Sequence, residues 1–202
     1  SSVRVRLESM AVRVRHLGAP KTAEEVEVTY VRDGRAERVR AGRVVLACYN
    51  SVIPYLCEEL PEPQKQALSQ ALKAPLVYTN VLVRNWEAFR ELGVSGVRCP
   101  GSYFEDVRLS QPVSLGGYRH ATSPDDPTVL RLFRIPLARG LSAPEQWKAG
   151  RYDLLSTSFE TFERKIRDQL GRILGPGGFD PARDIEAITV NRWPHGYAYG
   201  QD

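Results

Sequence analysis

The sequence is poor in cysteine and has no long apolar run. Its 202 residues include 3 cysteines, Cys48, Cys57 and Cys99. Their number is odd and no pair has C-x-x-C spacing, so the sequence indicates neither a disulfide scaffold nor a zinc site. No apolar run approaches the roughly 20 residues of a membrane-spanning helix, so no membrane span is expected. With 42% hydrophobic residues, the chain can form one sizeable core or two small ones.

The usual catalytic and phosphate-binding motifs are also missing. No G-x-G-x-x-G follows a predicted strand, and the glycines of segment 175–178 follow a predicted helix, where they act as a stop signal. His16, His120 and His195 lie too far apart for an H-E-x-x-H metal motif. No metal site is therefore expected.

The charge pattern gives no sign of a nucleic-acid partner. The 28 Lys and Arg residues exceed the 24 Asp and Glu residues by 4, which is a mild excess. Nucleic-acid-binding surfaces often combine clustered basic residues with aromatic residues, and this sequence contains no such block. The N-terminal arginines alternate with Val or Leu, which is typical of a strand with one solvated face.

The first fifty residues are predicted to be rich in β-structure. Val3, Val5 and Leu7 alternate with charged residues, and Asp33-Gly34 is a strong hairpin signal. Val44–Ala47 is a continuous apolar run, which predicts a strand buried on both faces, as in a parallel sheet.

From Pro61 onward helices and strands alternate. The spacing of apolar residues and prolines predicts helices after Pro63 and from Ala143 to Leu155, and strands at Leu76–Val83, Val113–Leu115 and Val129–Ile135. A further helix is predicted to begin with a capping box of Thr157 and Glu160 and to end at Gly175-Pro176. Its apolar stripe is expected to lie in the core: Phe159, Phe162, Ile166, Leu170 and Ile173. The expected fold class is α+β, with an α/β-like element order.

The C-terminal segment carries the one candidate site found from residue chemistry. A short strand at Ile188–Val190 leads into Trp193-Pro194-His195-Gly196 and the two tyrosines Tyr197 and Tyr199. Such aromatics either pack a core or face a flat ligand. The Pro-His-Gly sequence breaks the strand alternation, which favours a functional site. A segment this rich in packing groups near a terminus also leads us to expect that the chain is an internal piece of a larger protein.

The order of these elements resembles the middle of the flavin-dependent amine oxidases, and in particular bacterial spermidine-dehydrogenase-like proteins. The resemblance is carried by the whole collinear set rather than by one motif, and it spans essentially the whole chain. Its segments are Val5–Val14 with the hairpin after it, Arg43–Cys48, Leu60-Pro61 with the following helix, the strand that ends in Trp86, and Arg192–Tyr197.

The resemblance implies a specific organisation. Residues 1–48 would form the tail of an FAD-binding, Rossmann-type domain, and residues 49–202 a mixed β-sheet substrate domain with flanking helices, truncated at its C-terminal end. Ala11 and Val12 would reach the FAD adenine through their backbone, and Trp193 would lie beside the isoalloxazine ring. Tyr197 and Tyr199 would contact the substrate. Because Pro194 and Gly196 can turn His195 out of the strand alternation toward that substrate, we expect His195 to act as a catalytic proton acceptor. The remaining flavin-domain segments would belong to the parent chain.

The resemblance also implies a reaction. The parent protein would use FAD to oxidise the C–N bond of a small-molecule amine, with a polyamine such as spermidine as the leading substrate. We expect that the 202-residue chain alone neither retains FAD nor turns over substrate. Two alternatives stay open: a binding module of the same fold without flavin, or a flavin desaturase, which would require an apolar tunnel.

Overall fold

The computed structural model describes residues 3–196, which form two compact units. The first unit ends at Leu72 and the second begins at Lys73. The domain boundary predicted after residue 48 therefore falls inside the first unit. The candidate residues Tyr197 and Tyr199 lie outside the described residues.

The first unit is built on a three-stranded antiparallel sheet. Its strands follow the order of the sequence: β1 (Met10–His16), β2 (Val26–Arg32) and β3 (Arg35–Ala41). Asp33 and Gly34 join β2 to β3 with φ angles of 48° and 72°. These positive angles suit a tight hairpin turn, so the hairpin prediction is confirmed.

A small apolar cluster completes the first unit. Its buried residues are Val14 of β1, Leu56 of α1 (Ile53–Leu56) and Cys57, which directly follows α1. A second helix, α2 (Glu62–Gln70), comes next in the chain. The strand predicted at Val44–Ala47 is wrong. This segment pairs with no strand of the described chain, and Val45 is 90% exposed. Only Val44 and Leu46 pack against the cluster, so the apolar run is covered on one side instead of two.

The alternating N-terminal residues also form no strand before Met10. Val3, Val5 and Leu7 are all exposed, and no strand of the described residues pairs with them. Alternation marks a strand only where a neighbouring strand accepts its backbone hydrogen bonds.

The second unit contains a five-stranded sheet. Its elements begin with β4 (Leu76–Val83), α3 (Glu87–Glu91), β5 (Gly96–Arg98), β6 (Asp106–Leu109) and β7 (Thr128–Arg134). They continue with α4 (Ala143–Ser156), α5 (Phe159–Leu174), α6 (Pro181–Asp184) and β8 (Ile185–Trp193). The strand order is β5-β6-β7-β4-β8, and every neighbouring pair is antiparallel. The predicted mixed sheet is therefore wrong, while the α+β class is confirmed.

Two details of the second unit differ from the sequence prediction. Ser158, not Thr157, caps α5, because its Oγ accepts from the Thr161 N–H at 3.3 Å. The Thr157 hydroxyl instead donates to the Asp153 carbonyl at the end of α4. The predicted strand at Val113–Leu115 is absent, since Leu115 makes only an isolated bridge with Tyr118.

The main core lies between one face of this sheet and α5. Phe162, Ile166 and Leu170 of α5 are buried, as the stripe predicts, although Phe159 at its start is exposed. They belong to one cluster with Val77 and Val81 of β4. Among the described residues, no helix combines the length and apolar character needed to cross a bilayer.

Candidate functional site

The five-stranded sheet has one face that is not covered by the core, here called the open face. In β4 the buried residues Val77, Thr79, Val81 and Val83 alternate with residues that point to the other side. Residues directly opposite each other in an antiparallel pair share a face. The register therefore assigns these side chains to the open face: Leu76, Tyr78 and Asn80 of β4, Arg131 and Phe133 of β7, Thr189, Asn191 and Trp193 of β8, and Asp106 and Arg108 of β6.

Aromatic side chains give the open face apolar surface. The rings of Tyr78 and Phe133 lie 5.1 Å apart and are tilted by 50°. Trp193, opposite Leu76 at the end of β8, is 54% exposed. An indole that exposed is not a core residue, so the packing interpretation of Trp193 is disfavoured.

Amide and hydroxyl groups lie between these rings. Asn80 Nδ2 donates to Thr189 Oγ1 at 3.4 Å, and Asn191 Nδ2 donates to the Tyr78 carbonyl at 3.1 Å. Asn80, Thr189 and Asn191 are exposed. The open face thus combines ring surfaces with neutral hydrogen-bonding groups, as binding sites for small ligands commonly do.

A fixed turn that contains His195 follows β8. The Gly196 N–H donates to the Ala74 carbonyl at 2.8 Å, and Arg151 Nε donates to the Pro194 carbonyl at 3.2 Å. A Cβ at Gly196 would lie 2.2 Å from Leu76 Cδ2, so only glycine fits there without displacing the turn. The break predicted from Pro194-His195-Gly196 is therefore a packed turn against the start of β4.

The surroundings of the His195 imidazole favour its neutral form. Partial burial lowers the pKa of His195 below its ordinary value, and the positive charges of Arg151 and Lys73 lower it further. Its Nδ1 atom is shielded from solvent. A neutral imidazole can accept a proton, which is the property that a general base needs.

The predicted adenine-binding residues lie in the first unit. Ala11 and Val12 are exposed on β1, at a bulge where the pairing with β2 shifts between Ala11 and Arg13. Trp193 and His195 belong to the second unit, where they lie two residues apart at the end of β8.

The sequence reasoning missed most of the open face. Tyr78, Asn80, Arg131 and Phe133 lie at alternate positions of strands whose sequences are mainly apolar. Alternate residues of a strand point to the same face, so the polar residues Asn80 and Arg131 within these apolar strands were the sequence signal for a second, polar face.

Two carboxylates near this face, Asp106 and Asp126, are already engaged. Both oxygens of Asp106 lie 2.5 Å from Arg108 Nε. Asp126 accepts from the backbone N–H groups of Thr122 and Ser123, which lowers the pKa of its carboxyl group. These two groups stabilise an arginine and a turn rather than present a free negative charge.

Each unit has exposed groups that can be compared with a part of FAD. In the first unit, the bulge at Ala11 and Val12 offers backbone groups for a purine edge; in the second unit, the Trp193 ring offers a flat surface for a planar ring system. Among residues 3–196, no strand-to-helix turn carries the cluster of glycines that holds a pyrophosphate.

Comparison with known proteins identifies a fold. No protein-family model matches the chain, and no curated protein matches it in sequence. A double mutant of putrescine oxidase, made to redesign cofactor binding, matches with a TM-score of 0.55 and 17% identity over 94% of this chain and 36% of that chain. Cyclohexylamine oxidase from Brevibacterium oxydans matches with a TM-score of 0.56 and 17% identity over 91% of this chain and 33% of that chain.

A third solved structure is wild-type putrescine oxidase bound to putrescine. It matches with a TM-score of 0.50 and 19% identity over 85% of this chain and 34% of that chain. The chain therefore spans about a third of the length of the solved structures it matches. Its fold is that of part of an amine oxidase.

Proposed function

We propose that the chain is an internal part of an FAD-dependent amine oxidase or dehydrogenase, and that its second unit belongs to the substrate-binding domain. The single observation that carries this proposal is the fold shared with putrescine oxidase and cyclohexylamine oxidase over most of the chain. The open face, with its aromatic pair and exposed amides, adds independent support because it is suited to a small amine.

The first unit contributes to cofactor binding in this proposal. Residues 1–48 form the tail of the Rossmann-type flavin domain, and the exposed backbone at Ala11 and Val12 contacts the adenine. The bulge of β1 supports this role because an irregular strand leaves backbone groups available. The glycine-rich loop for the pyrophosphate comes from another part of the parent chain.

The second unit binds and orients the amine. Trp193 lies beside the reacting end, and Tyr78 and Phe133 line the apolar part of the substrate. Tyr197 and Tyr199 are the remaining substrate-binding residues of the proposal. When bound, FAD supplies the acceptor for the hydride that leaves the carbon next to nitrogen. An amine must be neutral to release that hydride, so His195 accepts the proton of the incoming ammonium group. Burial, Arg151 and Lys73 lower the pKa of His195, so its imidazole favours the neutral form that can accept a proton or a hydrogen bond, and the same groups make it a weaker base than a free imidazole.

The resemblance to spermidine dehydrogenases favours a polyamine substrate, whereas the polar open face disfavours the desaturase alternative. A desaturase needs an apolar tunnel, but Asn80, Thr189, Asn191 and Arg131 are all exposed on this face. The binding site of an amine oxidase accommodates such groups, because they can form hydrogen bonds with a polar substrate.

Anaerobic flavin reduction tests the proposal. A polypeptide that contains these residues and the remaining flavin domain is mixed with putrescine, spermidine or cyclohexylamine, and loss of the visible flavin absorbance is followed. We expect at least one amine to bleach the flavin. Asn80→Ala should lower kcat/KM about tenfold, equivalent to one lost hydrogen bond of about 1.4 kcal/mol. Asn85→Ala, beyond the end of β4, is the matched control and should change little. Flavin that no amine reduces would refute the proposal.

A further inference from the structure

A cavity of about 390 Å³ lies at the end of the open face farthest from Trp193. It is formed where Arg108 and Arg131 of the open face meet the segments around Trp86 and His120. Its lining contains two guanidinium groups, one imidazole and the hydroxyl of Ser110, and no carboxylate from any described residue. The charged groups of the cavity are therefore all basic.

Arg131 is the first of these groups. It lies on β7, the central strand of the sheet, directly opposite Asn80 of β4 and Arg108 of β6. Its side chain is exposed and makes no hydrogen bond or ion pair with any other residue in the part of the chain that the structure describes. Two like charges directly opposite each other on neighbouring strands destabilise a sheet, so an anion between them would be stabilising.

Arg108 has donors to spare. Asp106 contacts its Nε atom, at 2.5 Å from each carboxylate oxygen. The two terminal nitrogens of this guanidinium form no bond with the rest of the described chain. A guanidinium donates through several N–H groups in a fixed fork, so the pairing with Asp106 leaves the group able to bind a second anion.

His120 and Trp86 complete the cavity wall. The Nδ1 atom of His120 lies 2.8 Å from the Ser114 hydroxyl, which orients the ring and leaves Nε2 for another partner. The backbone N–H of Trp86 donates to the Pro124 carbonyl at 2.8 Å, which ties the segment before α3 to the turn at Pro124. The cavity is thus held by its own loops and does not depend on a ligand for its shape.

The distance from the proposed reacting end is also informative. Asn80, which pairs with Arg131, lies four residues along β4 from Leu76, which pairs with Trp193. At about 3.3 Å per residue this is roughly 13 Å along the strands, and two strand spacings of about 4.8 Å between β8 and β7 bring the separation of Trp193 and Arg131 to roughly 16 Å. A substrate that reaches from Trp193 to Arg131 is therefore an extended chain of about eight carbons with hydrogen bonds at both ends.

We propose that this cavity binds an anionic group at the far end of the amine substrate, so that amines carrying a carboxylate or phosphate bind better than the polyamines that the family resemblance favours. The inference rests on the proposed function for the amine end, but the anion site itself stands on the basic cavity. Arg131 is its main ligand, and Arg108 and His120 add to the positive potential.

Calorimetric titration of the full 202-residue chain tests this inference without flavin or turnover. The probes are aminooctanoate, aminooctyl phosphate and diaminooctane, which share a chain length and differ in the end group. We expect both anionic probes to bind at least about tenfold more tightly than the diamine. The NMR signal of the Trp86 indole N–H should shift with the anionic probes, which locates the site.

Variants separate a specific site from general charge attraction. Arg131→Gln should weaken the anionic probes about tenfold and leave the diamine unchanged, while Arg131→Lys should retain part of the preference. Arg164→Gln removes the same charge from an exposed position on α5, across the sheet, and should have no effect. Equal affinity for all three probes, or equal losses in Arg131→Gln and Arg164→Gln, would overturn the inference.

The two proposals fail separately. Anion binding at Arg131 in a protein that oxidises no amine would support the site and refute the oxidase. Flavin reduction by diamines with no preference for anionic amines would support the oxidase and refute the site. Tighter binding of the phosphate or of the carboxylate probe identifies which anion the cavity prefers.

Discussion

His195 illustrates how a single residue acquires a property that its sequence position only suggests. Pro194 and Gly196 indicate a turn, but the charge state of the imidazole depends on its neighbours in space. Arg151 lies on α4 and Lys73 lies before β4, far from His195 in sequence. Burial and both positive charges act in the same direction, toward the neutral form.

The first prediction concerns the pH dependence that this environment causes. Because the pKa of His195 is lower in the folded than in the unfolded protein, the unfolded chain takes up the proton first as pH falls below the ordinary value of about 6.5. The free energy of unfolding should therefore decrease through this window, and His195→Gln should remove that part of the decrease. Urea denaturation of both proteins at about pH 7.5 and about pH 5.5, on either side of that pKa, measures it. An equal decrease in both proteins would contradict the assignment.

A second prediction separates ligand contact from packing at Trp193. Because the indole is 54% exposed, Trp193→Ala should cost only about 1–2 kcal/mol of stability. The matched control is Phe162→Ala in the core, which should cost about 3–5 kcal/mol. Chemical denaturation compares the two variants. If Trp193→Ala were as costly as Phe162→Ala, the exposed orientation of the indole would be wrong.

At the level of elements, one buried side chain links α5 to the loop before β6. Gln169 is 2% exposed. Its Oε1 accepts from the Phe104 N–H at 2.9 Å, and its Nε2 donates to the Phe104 carbonyl at 2.7 Å. The loop passes through the core because this amide satisfies both of its backbone groups, as buried polar groups require.

The third prediction follows from that contact. Gln169→Leu should destabilise the second unit by about 2–4 kcal/mol, because it leaves a buried donor and a buried acceptor without partners. Asp168→Asn, on the exposed side of the same turn of α5, should change stability by less than about 0.5 kcal/mol. Denaturant titration followed by tryptophan fluorescence compares them. Similar midpoints for the two variants would show that the loop finds other partners.

The elements also show which parts of the fold the sequence could predict. The hairpin at Asp33-Gly34, β4 and α4 carry local signals, namely turn chemistry, a long apolar run and a proline in the first helical turn, and all three were predicted. Val44–Ala47 was predicted wrongly, because burial on two faces depends on strands elsewhere in space. The mixed sheet was wrong for the same reason, since strand direction is a tertiary property.

The candidate site was less predictable than the fold. Trp193 and His195 were found because aromatic residues and a Pro-His-Gly turn are conspicuous in one segment. Asn80 and Arg131 were missed because they are 51 positions apart in sequence and meet only through the β4–β7 register. The basic cavity could not be inferred at all, since Trp86, Arg108 and His120 come from three separate segments.

At the level of the whole molecule, the chain divides its proposed roles between two compact units. The first carries the exposed bulge at Ala11 and Val12, and the second carries the open face and the basic cavity. Each unit has a hydrophobic cluster of its own, so we expect each to hold its fold. The solved structures that share this fold are about three times as long.

The last prediction is that the 202-residue chain does not retain FAD. Affinity for a dinucleotide depends heavily on backbone N–H groups that cradle the pyrophosphate at a helix N-terminus, and no strand-to-helix turn in residues 3–196 provides them. Contacts at the adenine alone are too few to replace that cradle. After incubation with FAD and desalting, the protein should show no flavin absorbance, while its circular dichroism shows folded α+β structure. Flavin retained in stoichiometric amount would mean that these residues already hold the phosphates, and the division of the cofactor site proposed above would have to be abandoned.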